Sequence, residues 1–280
     1  MNRQSIVIFL LTLLTACNND DKQASLRLEK ARQMNESGSY SAAKLQIDSI
    51  RSLYPKSYTV IKEAIILLQD IELNEQSRNL TYCDSILQTL ENNTKKLKQK
   101  FILEKDNRYQ KIGNWMLPSQ KAENNLRKSY IRTGVNEWGE MYISSVYHGK
   151  SALRHTAIRL TTPDGGYAET VPVAPDGGNN FTFTDNGMVS EIVTYRGKKC
   201  RGAVGFISLY EMQSIKIEYL NGKSYSLTLD ASTKKAIIET AQLAEYINEY
   251  NRFVQEKELA RAKIALLKQK IARRSSRKEN

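Results

Sequence analysis

Two histidines, His148 and His155, stand seven residues apart in the stretch YHGKSALRH, and no others occur in the chain. Imidazole near neutral pH serves as a metal ligand or a general base. A spacing of seven matches no pattern in which two ligands share a helical face or a tight turn, so no metal site is assigned. Ser144, Ser145 and Ser151 lie close by. None sits in a Gly-x-Ser-x-Gly elbow, and no carboxylate is placed by sequence to orient a histidine. Glu137, Glu140, Asp164, Glu169 and Asp176 are candidates for paired-carboxylate glycoside hydrolysis, a chemistry that depends on their separation in space. No catalytic residue and no cofactor is assigned.

Binding chemistry has stronger candidates. Trp138, Tyr142 and Tyr147 lie among strand-like runs, with Trp115, Tyr167 and Tyr195 at or near the same region. Tyrosine and tryptophan suit both protein hot spots and carbohydrate stacking. Trp138 falls in an expected turn, where a core role is hard to arrange. A second candidate is the end of the chain. Lys257, Arg261, Lys263, Lys268, Lys270, Arg273, Arg274, Arg277 and Lys278 face one acid, Glu258, and the last four, Arg273, Arg274, Arg277 and Lys278, are expected to meet anionic lipid headgroups or glycans.

Around these residues the hydrophobic period defines the elements. From Lys22 to about Tyr109 there is one glycine, Gly38, and one proline, Pro55, which permits long helices. A helical hairpin is expected over 23–56 and a long helix over 57–112. Leu80, Cys83, Leu87, Leu90, Thr94, Leu97 and Phe101 form one heptad seam; Leu243, Tyr246, Tyr250, Phe253, Lys257, Ala260, Ile264, Leu267 and Ile271 form another in a C-terminal helix over 231–274. Their similarity predicts an antiparallel coiled-coil stalk, with Leu87 opposite Ile264 as a first register. After a linker over 113–128, residues 129–230 change to a period of two, with turn signals at Asn136 to Gly139, at two Pro-Asp-Gly-Gly copies, at Asp185-Asn186-Gly187 and at Asn221-Gly222. About eight strands are expected there, in a small antiparallel β sandwich or barrel. The fold class is α+β. A basic tail covers 275–280. Cys83 and Cys200 do not make a disulfide scaffold.

The N-terminus has a charged start, an apolar run from Ile6 to Leu14, and then Leu14-Thr15-Ala16-Cys17. The run is shorter than the roughly twenty apolar residues a membrane span needs. This layout resembles the signal peptide and lipobox of bacterial lipoproteins, which implies removal of 1–16, lipidation of Cys17 and a lipidated tether over 17–22. Asn18 carries no inner-membrane retention signal, and Asp20-Asp21 resembles the acidic patch of Bacteroidota envelope lipoproteins. That resemblance implies the outer membrane, with its outer face as one address. Gly38, Tyr40, Ala43, Ile47 and Pro55 resemble the second half of a tetratricopeptide repeat.

The net charge of +12, +11 without Arg3, favours acidic partners; outside the cytoplasm these are phosphorylated lipids, glycans or proteins, and nucleic acid is excluded. The expected function is that of a lipid-anchored envelope protein whose β domain engages an envelope protein partner. A glycan-binding surface module is the alternative, and an envelope hydrolase the third reading.

Overall fold

A computed structural model describes residues 3–276, with side chains from residue 19 onward. The chain forms two compact units, one from residues 1–87 with 253–280 and the other from 88–252. Among the described residues no helix is long and apolar enough to cross a membrane.

The first unit is helical. It contains α1 (Arg3–Glu36), α2 (Tyr40–Leu53), most of α3 (Tyr58–Lys98) and the end of α5 (Ala231–Ser276). Ala24, Leu28 and Ala31 of α1 meet Ala43, Ile47 and Ile50 of α2 and Val60, Ala64, Leu67 and Ile71 of α3 in one core. Each set steps by three and four, so each helix turns a single stripe inward. Gly38 takes φ +74° after α1, the left-handed conformation that ends a helix without a Cβ penalty. The partly buried Arg27 and exposed Lys30 leave the packing to Leu28 and Ala31.

Contacts between α3 and α5 in this unit run in opposite directions. Asp84 meets Lys257 at 2.5 Å, Gln69 accepts from Arg274 at 2.8 Å, and Tyr82 packs edge-on against Phe253. These contacts place residue 87 of α3 level with about residue 255 of α5, so the Leu87 to Ile264 register is off by about nine residues, or about 13 Å along a helix. Heptad spacing alone allows any slide by whole heptads; the charge pair selects one. Cysteines introduced at Leu80 and Ala260, or one turn either side, are expected to crosslink within one chain. A Leu87 and Ile264 pair is not, because its α-carbons are too far apart for a disulfide. Intrachain crosslinking of the second pair alone, read by gel mobility, would overturn this register.

The second unit holds ten strands. The expected helix over 57–112 ends at Lys98, where the N–H groups of Lys100 and Phe101 turn back to the carbonyls of Leu97 and Lys98. Lys95, Lys96 and Lys98 sit in this last turn, where the helix dipole favours cations. Phe101 then enters the core of the second unit. The remainder of that expected helix and the linker after it contain β1 (Ile102–Glu104) and β2 (Asn114–Met116), followed by two short 3-10 turns. The eight further strands lie within 129–230: β3 (Tyr130–Asn136), β4 (Met141–Gly149), β5 (Ala157–Thr161), β6 (Tyr167–Glu169), β7 (Asn180–Asp185), β8 (Met188–Arg196), β9 (Lys216–Leu220) and β10 (Ser226–Thr228).

One antiparallel sheet has the order β1-β2-β3-β4-β8-β7 and the other β10-β9-β5-β6. Ile131 and Val135, Ile158 and Leu160, Val193 and Tyr195, and Ile217 and Tyr219 alternate inward at the strand period. They share a core with α4 (Arg201–Leu209), which the sequence reading did not anticipate, and with Leu97, Ile237, Leu243 and Ile247. The Asn221-Gly222 turn also differs from the expected two-residue type. Ser226 pairs with Glu218, which leaves a longer loop, and only Asn221 has positive φ. Glycine is needed at 222 for another reason: a Cβ there would lie 2.2 Å from the Leu153 carbonyl oxygen.

Candidate functional site

The β3–β4 turn is built by one side chain. Asn136 Oδ1 accepts the N–H groups of Trp138, at 3.0 Å, and Glu140, at 2.9 Å, and Gly139 takes φ +89°. From α5, Asn248 donates to the Gly139 carbonyl at 2.8 Å, and a Cβ at Gly139 would collide with that amide. The turn is therefore held at its backbone and its indole projects freely. Trp138 is 66 % exposed.

Two clefts take residues from this turn. The larger, about 670 Å³, has Met141, Cys200, Val204, Ala241 and Ala244 among its lining and a rim that includes Trp138, Glu140, Lys198, Arg201, Glu245 and Glu249. Gly205 widens it, since a Cβ there would meet nothing within 4 Å. Burial pushes the Cys200 thiol up to about 11, which keeps it protonated and unreactive. The smaller cleft, about 470 Å³, is lined by Glu91, Thr94, Lys95, Lys98, Glu137, Ile247, Tyr250 and Asn251. The Lys98 ammonium stands 4.7 Å from the Trp115 ring centre; burial lowers its pKa and Glu137 opposes the shift. The Thr94 hydroxyl in this cleft is buried without a partner among the described residues.

Of the three aromatics singled out for binding, only Trp138 is offered to solvent. Tyr142 is 5 % exposed, lies under the Arg196 guanidinium and covers Gly134. Tyr147 is half-buried against Tyr225 and Gly149. Both placements have one cause: in paired strands an aromatic residue packs on an adjacent glycine or a neighbouring ring.

The candidate carboxylates are mostly occupied. Glu137 is held below the ordinary carboxylate value by the Gly113 N–H and by Lys105 at 2.9 Å. Asp164 bonds Thr162, Glu169 pairs with Arg159, and Asp176 accepts three backbone N–H groups that hold it at about 2. The two Pro-Asp-Gly-Gly copies are thus turns. Glu140 reaches the larger cleft from the β3–β4 turn, where Asn136 donates to its carboxylate at 3.4 Å.

His155, Ser145 and Glu191 do come together. In the β4–β8 register Ser145 opposes Val193, Tyr147 opposes Glu191 and Ile143 opposes Tyr195, so Glu191 and Tyr195 flank Ser145 on one sheet face. His155 Nε2 lies 2.7 Å from Ser145 Oγ, its Nδ1 meets Glu191, and Tyr195 bonds the same serine at 3.1 Å. Arg154, at φ +64°, turns its own N–H and that of His155 onto the two oxygens of Glu191, at 2.7 and 2.8 Å. This has the connectivity of a Ser-His-Glu nucleophile. It is sealed, however, with Ser145 at 0 % and His155 and Glu191 at 1 % exposure, so it lies within the core. Burial raises the Glu191 pKa, but hydrogen bonds from the His155 ring and the two N–H groups outweigh it and hold the carboxyl low. His148 instead bonds Ser190 at 3.0 Å.

Among the described residues no three potential metal ligands cluster. Cys83 and Cys200 are buried free thiols. Arg273 is exposed and Arg274 is bonded to Gln69, while Arg277 and Lys278 lie outside the described residues and Cys17 lies where side chains are not described. No protein-family model matches the chain, and no curated protein or solved structure matches it either.

Proposed function

We propose that this protein is a lipid-anchored envelope lipoprotein, acylated at Cys17, whose sheet unit holds an envelope protein partner in the clefts beside Trp138. The observation that carries the reading is the larger cleft: a lining of small apolar residues, a rim of both charge signs, and an exposed indole on a turn fixed from α5. Protein hot spots combine an aromatic anchor with an apolar centre and a polar rim. Tyr142 is buried and Tyr147 half-buried, so neither adds a freely exposed ring beside Trp138, which supports a protein partner over a glycan. Glu137, Asp164, Glu169 and Asp176 are each engaged by neighbouring donors, which suits them less to acid–base chemistry and supports a binding role over a hydrolase. Sandwich packing of the two sheets and coiled-coil pairing of α3 with α5 belong to the same proposal, as the rigid support on which such a site depends.

Trp138→Ala is expected to weaken the partner by at least thirtyfold, the loss of about 2 kcal/mol or more typical of an anchor tryptophan. Because the indole is exposed, thermal stability should stay within about 0.5 kcal/mol of the parent. The measurement is affinity capture from crosslinked envelopes with both chains side by side. The same bands at the same yield from the variant would remove Trp138 from the interface, and retention on envelope polysaccharide would favour the glycan reading.

A further inference from the structure

The helical unit holds a second cleft, of about 580 Å³, between the start of α3 and the end of α5. Lys62, Ile65, Ile66 and Gln69 line it from one face of α3, at the i, i+3, i+4, i+7 spacing. Lys270, Arg273 and Arg274 line it from α5. Four cations thus meet with no carboxylate among the lining residues. Glu63, the acid next to Lys62, is taken by Arg32 at 3.2 Å. The Arg274 guanidinium is steadied by Gln69 at 2.8 Å, and the donors of its fork that this bond does not use remain for a ligand.

We infer that this cleft binds the phosphate headgroup of an anionic phospholipid. Converging cations repel one another until an anion enters, and phosphate accepts several charge-assisted hydrogen bonds at once. The isoleucines select among phosphates. Ile65 is 44 % exposed beside the cations, an apolar contact that a glycerol and acyl chain use and a free anion does not. Position on the helices agrees. Arg32 of α1 meets Glu63 of α3, and Asn35 meets Asn74, so these two helices run in the same direction. By these contacts the cleft at Lys62 is level with about residues 23–31 of α1, and Cys17, the expected acyl site, lies about 9–21 Å further along that helix on the side where α3 begins. The inference rests on the lipoprotein reading only for this choice of lipid over other phosphates.

The test uses the mature chain, residues 17 to 280, with Cys17→Ala to remove acylation. It should cosediment with vesicles containing phosphatidylglycerol, not with pure phosphatidylcholine, and less as salt rises. Lys62→Gln should weaken that binding about fivefold, the equivalent of about 1 kcal/mol for a basic residue near an anionic surface. Lys268→Gln, an exposed cation of α5 outside the cleft, should change it less than twofold. Ile65→Ser should weaken vesicle binding, and inorganic phosphate at millimolar concentration should neither compete nor raise the melting temperature. Equal losses for Lys62→Gln and Lys268→Gln, binding to neutral vesicles, or competition by inorganic phosphate would each overturn the inference. Trp138→Ala should bind vesicles like the parent, which separates this result from that of the protein interface.

Discussion

Glu191→Ala is expected to unfold the sheet unit at markedly lower urea, with a loss of about 3–5 kcal/mol, the usual cost of removing one partner from a buried pair. The reason lies in how many donors depend on this carboxyl. Without it the His155 ring and the N–H groups of Arg154 and His155 lose their acceptor in a site where water does not reach, and Ser145 and Tyr195 lose the ring that organises them. Both tryptophans of the protein, Trp115 and Trp138, belong to this unit, so indole fluorescence reports its unfolding directly. The acid limb gives a second readout. The Glu191 carboxyl is held below its ordinary value, so its contribution is complete above about 4.5 and is lost as pH falls through the lower folded value. Glu191→Gln should therefore show a shallower loss of stability between pH 5 and the acid transition than the parent, a range that follows from this linkage. Parallel acid limbs, or an unchanged urea midpoint for Glu191→Ala, would show that the network is not what holds this core.

Cys17→Ala is expected to move the protein from the membrane to the soluble fraction. Each buried acyl methylene contributes about 0.8 kcal/mol, and a single chain gives only marginal attachment, so a stable anchor requires the several chains a lipoprotein cysteine carries. Incorporation of labelled fatty acid should vanish in the variant and lipoprotein-type processing should stop. Labelling that persists would remove Cys17 as the acceptor. If the basic cleft adds headgroup contacts, the released protein should retain a weak, salt-sensitive affinity for anionic membranes.

Periodic elements were legible in the sequence and their meeting points were not. The stripes of α1, α2 and α3, the seam through Cys83, Leu87, Leu90 and Leu97, and the eight strands between 129 and 230 follow from spacing of three and four or of two. The end of α3 was missed because apolar residues continue beyond Phe101 with a one-place shift that a helix tolerates; the chain instead turns, and the next segment is a three-residue strand. Helix α4 was missed because RGAVGFISL carries two glycines in nine residues and reads as neither period. The exposure of Trp138 was legible from its place in a turn. Glu191 was not, because only the β4–β8 register brings it to His155, 36 residues away. The packing of Tyr142 and Tyr147 was not legible, because strand alternation does not say whether an outward aromatic meets solvent or lies on a glycine.

The helical unit is assembled from both ends of the chain, with the entire sheet unit between them. During synthesis α1, α2 and the first part of α3 emerge early, yet Tyr82 and Asp84 meet Phe253 and Lys257 of α5 only after some 170 further residues. A chain interrupted before Phe253 would carry a complete sheet unit and an α3 with its seam bare. The helical unit is thus the first begun and the last finished, and a protease that surveys unfinished chains would find its substrate in that uncovered seam.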